Sequence, residues 1–188
     1  MTRDPMDYGW WLASRASGLV ALALITLSVG LGPAIASPLM ATHEHAALGG
    51  LIAIAVHGIT LLGDTWLHPG PVGISVPFAM DYKPLFTGLG IVAGYLAAAL
   101  GLSFYARRKI GNKLWRKLHR ATILVYVLAV IHTLGAGSDA QQPWLRVAML
   151  VTGAPILYLL VVRLLPAPQR PRGERRTRTG TSAVPGAS

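Results

Sequence analysis

Five stretches of this chain are apolar over lengths that a soluble core helix does not need, and the polar residues collect between them. A bilayer core about 30 Å thick is crossed by roughly 20 apolar helical residues. The pattern predicts spans over 14–37, 43–63, 85–106, 118–134 and 144–165, the last kinked at Pro155. Residues 1–13 are mixed, with Trp10 and Trp11 placed as interfacial aromatics before the first span. Residues 64–84 are rich in Pro and Gly and are expected to lie along the membrane surface. The fold class that follows is all-α: an integral membrane bundle of about five transmembrane helices. Its organisation is an interfacial segment (1–13), a membrane domain (14–165) and a basic tail (166–188) too poor in hydrophobics to fold alone. Ala34-x-Ala36 matches a signal-peptide cleavage pattern, but Asp4 and Asp7 make an acidic N-region that fits a signal peptide poorly. The first span is therefore read as retained.

Charge orients the bundle. Seven Lys or Arg lie between residues 107 and 120, and the tail is also basic. Both fall on one side of a five-span chain, which the positive-inside rule makes cytoplasmic. The N-terminus and the loops at 64–84 and 135–143 then face outward, and Lys83 is the only Lys or Arg in those loops. The second and fourth spans run parallel, from inside to outside.

Composition narrows the chemistry. The chain is 53% hydrophobic and 13% charged, with the charges gathered between the apolar stretches, as expected of a membrane protein and not of a soluble one. Its net charge of +10 lies beside the apolar spans, where it meets anionic lipid headgroups, and is not read as a nucleic-acid surface. With no cysteine, covalent c-type haem, Cys-ligated iron–sulfur clusters and Cys zinc sites are excluded.

The spans carry histidines at matched separations: His43 and His57 are 14 positions apart, His119 and His132 are 13. Either separation corresponds to roughly 20 Å along a helix. On parallel spans this sets His43 level with His119 near the cytoplasmic face, and His57 level with His132 near the outer face. Two imidazoles at each depth suit the axial positions of two stacked b-type haems. Ala46, Ala47, Gly50, Ala53 and Ile54 lie between His43 and His57 on one helix face. That face leaves room for a flat macrocycle, or serves tight helix packing. On a straight helix His119 and His132 differ by about 140°. Either that helix is locally distorted, or the haems are reached from different sides. His45 is a rival to His43 but shares the face with His57 poorly, and His68 is read as solvated in the outer loop. Arg15 and Arg120, with Arg146 and Arg163 behind them, either pair with haem propionates or snorkel to headgroups. Gly90-x-x-x-Gly94 allows close helix packing, and Gly88-x-Gly90 lacks the strand that a dinucleotide fingerprint requires.

At these residues the chain resembles the ferric reductase-like transmembrane family, which includes ferric reductases, the membrane part of NADPH oxidases and the haem subunit of the bacterial methionine sulfoxide reductase system. The paired histidines carry the likeness, supported by VPFAMDYKPLFTGLG, KLWRKLH and IHTLGAGSD, which are similar to short actinobacterial members. The resemblance spans roughly residues 10–165. It implies bis-histidine b-haem, two copies or one, at His43, His57, His119 and His132, and transmembrane electron transfer. The larger members have six core spans against five here, and this sequence has no flavin or nicotinamide domain.

The expected role is thus the electron-transfer membrane subunit of an oxidoreductase. Its partners are a separate flavoprotein or quinol donor and an extracytoplasmic redox acceptor. Two alternatives stand beside it: a one-haem cytochrome b subunit exchanging electrons with quinone on one side, and a haem-free membrane protein whose histidines handle protons or metal. Against the last, Asp64, Asp81 and Asp139 all fall at or beyond span ends.

Overall fold

The computed structural model describes residues 5–32 and 37–164. The Ala34-x-Ala36 pattern and the basic tail lie outside the described residues. Among the described residues seven helices follow one another: α1 (Pro5–Leu31), α2 (Ser37–Leu61), α3 (Gly70–Ser75), α4 (Pro84–Ile110), α5 (Asn112–His119), α6 (Thr122–Ala136) and α7 (Pro143–Leu164). Among the described residues there is no strand. Among the described residues four stretches are long and apolar enough to cross a membrane: Tyr8–Leu31, Leu39–Leu61, Pro84–Ile110 and Asn112–Ala136. A shorter apolar stretch, Pro143–Leu159, makes up most of α7, with Pro155 inside the helix. The chain is a multi-pass, all-α membrane bundle.

Its exterior is that of a protein solvated by lipid. Large aliphatic side chains face outward along the spans, Ile52 at 66% and Leu150 at 69% exposure among them. The buried positions are mostly small or polar: Ala21, Ala46, Ala53, Ala93, Ser14 and Ser28. Small residues let helix backbones approach where lipid removes the usual hydrophobic drive to associate.

Two antiparallel pairs make the core. α1 packs along α2, and α4 packs along α6. Between α1 and α2 the approach is made at Gly49 and Gly50, where an added Cβ would meet Leu24 at 3.2 Å and Ile25 at 3.3 Å. The stripe of small residues on α2 therefore does serve packing. Gly101 of α4 receives Leu51 of α2 in the same way. α1 also touches α6, α2 touches α4, and α7 lies against α1, each less extensively. The backbones of α2 and α6 stay apart, and it is their histidines that meet.

The loops sort to two ends. At one end Trp10 lies on Gly63, Arg15 meets Asp139, and Lys83 Nζ donates to the Gly135 carbonyl at 2.8 Å. The start of α1 and the loops around 62–84 and 137–142 thus share that end. At the opposite end α4 stops at Gly111, whose φ of +86° suits glycine and whose N–H bonds the Arg107 carbonyl at 3.0 Å. The chain turns there into the basic helix α5.

Three boundaries differ from the sequence expectation. The first helix starts at Pro5, so Trp10 and Trp11 sit within its opening turns and not ahead of it. The 64–84 segment contains the short helix α3. The fourth span is two helices, α5 and α6, with a turn at Arg120 and Ala121.

Candidate functional site

The break between α5 and α6 is what aligns the histidines. Through it the amides bond three residues back: Ala121 to Leu118 at 2.8 Å, Ile123 to Arg120 at 3.4 Å and Leu124 to Ala121 at 2.9 Å. Each residue wound in this tighter way turns about 20° further than in an α-helix. A few such residues recover about 60–100° of the 140° that a straight helix would leave between His119 and His132. Of the two alternatives left by the sequence, local distortion is the one observed.

The result is two facing pairs. The rings of His43 and His119 have centroids 6.0 Å apart with planes at 78°. Those of His57 and His132 are 6.3 Å apart with planes at 73°. An imidazole–metal bond is about 2.0–2.1 Å long, so two imidazoles on opposite sides of one metal have ring centres about 6 Å apart.

Three of the four rings are held from behind. Nδ1 of His57 donates to the Ser14 carbonyl at 2.8 Å, Nδ1 of His43 to the Ser28 carbonyl at 2.9 Å, and Nδ1 of His132 to the Phe86 carbonyl at 2.8 Å. A carbonyl can only accept, so Nδ1 carries the proton in each, and Nε2 keeps a free lone pair. This is the tautomer and support that metal-binding histidines commonly have. The fourth ring, His119, has a buried Nδ1 with no partner and lies stacked on Trp115, centroids 5.0 Å apart.

The acceptor carbonyls share a local signature. In a helix the carbonyl of residue i points at residue i+4, and Gly18, Gly32 and Gly90 follow Ser14, Ser28 and Phe86 at that distance. The His57 ring lies on Gly18, and the His132 ring lies on Gly90 closely enough that a side chain there would overlap it. Glycine opens the carbonyl to a second donor. In the sequence Gly90 reads only as a packing glycine, and Gly18 and Gly32 carry no signal of their own, although Ser14 and Ser28 repeat the 14-residue spacing of His43 and His57 on the antiparallel neighbour.

The other candidates go elsewhere. Arg15 is committed to Asp139: Nε donates to Oδ2 at 2.7 Å and Nη2 to Oδ1, and the Asp139 side chain is buried. Arg120 is exposed at the end of α5. Arg146 bonds its own turn, at the Ala140 carbonyl and Gln141. The side chain of Arg163 lies outside the described residues. His45 and His68 are exposed, and neither faces another histidine.

Among the described residues no three His, Cys, Asp or Glu gather where they could hold a metal by themselves. Two facing imidazoles are too few for a protein-only centre. They are the number needed by a metal that arrives with its equatorial ligands in place, so the donor set fits haem.

No family model matches the chain, and no solved structure matches it. Among curated proteins, the heme-binding subunit MsrQ of protein-methionine-sulfoxide reductase from Azospira oryzae is 35% identical over 120 residues, which is 62% of this chain and 46% of that protein. The chain thus spans about half the length of this curated relative, and over that part it is similar to a heme-binding subunit.

Proposed function

We propose that this chain is the haem-binding, electron-transferring membrane subunit of a redox system, in which His43 and His119 would hold an inner b-type haem and His57 and His132 an outer one. The observation that carries the reading is the pair of facing imidazoles at each depth, with three of the four Nδ1 atoms tied to backbone carbonyls. The similarity to a heme-binding subunit supports it.

Bound haem supplies a one-electron carrier. The chain's own residues do the rest. α1 and α4 lend the carbonyls of Ser14, Ser28 and Phe86, which fix each ring's tautomer and plane and make the imidazole a stronger donor. A haem held by one of these imidazole pairs would suit electron carriage more than oxygen binding.

We assign the α4–α5 corner to the cytoplasm, because Arg107, Arg108, Lys109, Lys113, Arg116, Lys117 and Arg120 lie there. The membrane is the bacterial plasma membrane. The donor is a cytoplasmic flavoprotein or a membrane quinol, acting on the His43–His119 side. The acceptor is an extracytoplasmic partner. By likeness to the relative's name, that partner is the subunit that reduces protein methionine sulfoxide.

The test is a reduced-minus-oxidised spectrum of the purified protein with a pyridine haemochrome count per chain. Two low-spin b-haems per chain are expected. One haem would remove one of the two sites, and none, after expression with ample haem, would overturn the reading.

A further inference from the structure

The inner and outer pairs differ in how their second ligand is held. His132 has the Phe86 carbonyl behind it, whereas His119 has no acceptor at Nδ1 and is braced by an aromatic ring. Trp115 sits one turn earlier on α5, at the i−4 position where helical side chains meet. Its ring lies nearly parallel to that of His119, centroids 5.0 Å apart with planes at 25°. Phe104 of α4 closes on Trp115 at 5.9 Å, and the Arg107 guanidinium lies 3.7 Å over the Phe104 ring.

The Trp115 indole N–H is also buried and without a partner. Buried donors are nearly always bonded, and a tryptophan N–H can only donate. Among the described residues three buried side-chain N or O atoms lack a partner, and two of them, Trp115 Nε1 and His119 Nδ1, belong to this one stacked pair. The site therefore asks for an acceptor that the described protein does not supply. The basic residues Arg107, Lys113, Arg116, Lys117 and Arg120 surround the same corner, so an anionic acceptor is favoured there. A haem held by His43 and His119 would bring carboxylates to it.

We propose that Trp115 is a positioning residue of the inner haem: its ring fixes the plane of His119 by stacking, and its indole N–H is the donor kept for a propionate of that haem. This rests on the haem reading above and adds to it a residue that touches the group from the side, with no counterpart at the outer pair. A hydrogen bond from N–H to a carboxylate is charge-assisted and stronger than one between neutral groups. Loss of such outer partners typically weakens metal binding roughly 10–100-fold.

The experiment compares full-length wild-type protein with Trp115→Phe, Trp115→Leu and a control, Trp144→Phe, at an exposed position on α7. Two quantities are read: the rate of haem loss to excess apomyoglobin, and the propionate carboxylate bands in the redox-difference infrared spectrum. In Trp115→Phe, which keeps a ring but loses the N–H, one haem of the two should leave roughly 10–100-fold faster. A propionate band should also shift, while the other haem behaves as in wild type. Trp115→Leu should lose that haem faster still, and Trp144→Phe should change nothing. Wild-type haem loss and bands in Trp115→Phe would overturn the proposal and leave the haem reading intact, even if Trp115→Leu were impaired. Equal acceleration for both haems in Trp115→Phe would overturn it too, since the effect would not be confined to the inner site. A wild-type protein without haem would instead sink the reading on which the proposal stands.

Discussion

A single methyl group at Gly90 should empty the outer site. An added Cβ there would stand 2.7 Å from both Cε1 and Cγ of the His132 ring, and closer still to Nδ1. Ordinary carbon contacts begin at about 3.5 Å, so the ring must move by close to 1 Å. The same movement breaks the 2.8 Å bond from Nδ1 to the Phe86 carbonyl. Overpacking costs about 1–3 kcal/mol, and a buried donor left unpaired costs about 1–3 kcal/mol more. Together they amount to roughly 30-fold to 20,000-fold in affinity at that site. A displacement of this size also exceeds the ±0.2 Å within which metal–ligand distances normally hold. Two other glycines calibrate the effect. A Cβ at Gly94, on the same helix, would meet Ile54 at 3.5 Å, an ordinary contact; one at Gly18 would meet the His57 ring at 3.1 Å. The assay is the haem count per chain. Gly94→Ala should retain two haems, Gly18→Ala should hold the outer haem less tightly, and Gly90→Ala should retain only the inner haem, whose presence shows that the bundle has folded. Two haems with an unchanged spectrum in Gly90→Ala would refute the reasoning.

Three further outcomes follow from the same geometry. Arg15→Ala should lower the Tm by stranding the buried Asp139 carboxylate, and adding Asp139→Ala should recover part of the loss, as a thermal melt of the double variant will show. His45→Ala and His68→Ala should keep the wild-type haem count, because neither ring faces another histidine; a lost haem in His45→Ala would reassign the inner ligand. The near-perpendicular ring planes, 78° and 73°, keep the two π-type iron orbitals close in energy, so the ferric protein should give strongly anisotropic low-spin EPR signals, and an ordinary rhombic signal would contradict the observed planes.

What the sequence made legible is what repeats or what charge sorts. The separations of His43 from His57 and of His119 from His132, read with the cluster of basic residues, pair the rings by depth, and the structure brings the same rings together, with centroids 6.0 and 6.3 Å apart. The 140° offset marked a conflict on the fourth span, but no proline or glycine between His119 and His132 marks where the helix yields. Tighter winding at Arg120 and Ala121 resolves it through backbone bonds that any residue can make. The supports behind the rings were hidden for a related reason: Ser14, Ser28 and Phe86 contribute carbonyls, which every residue has. Only the glycines four positions on, and the serine spacing, betray them. Asp139 offered still less signal, since its partner Arg15 is 124 residues away and the ion pair exists only once α1 and the loop before α7 meet. The early start of α1 escaped because residues 5–13 are too polar to read as a span, although the helix runs through them.

The central claim is that the histidines work as two independent pairs, His43 with His119 and His57 with His132. The most direct measurement is the haem count of two double variants that each remove two ligands. His57→Ala with His132→Ala destroys one pair and should leave one b-haem per chain. His43→Ala with His132→Ala takes one ligand from each pair and should leave no six-coordinate haem. Equal counts and spectra in the two proteins would contradict the pairing, and with it the account of the site.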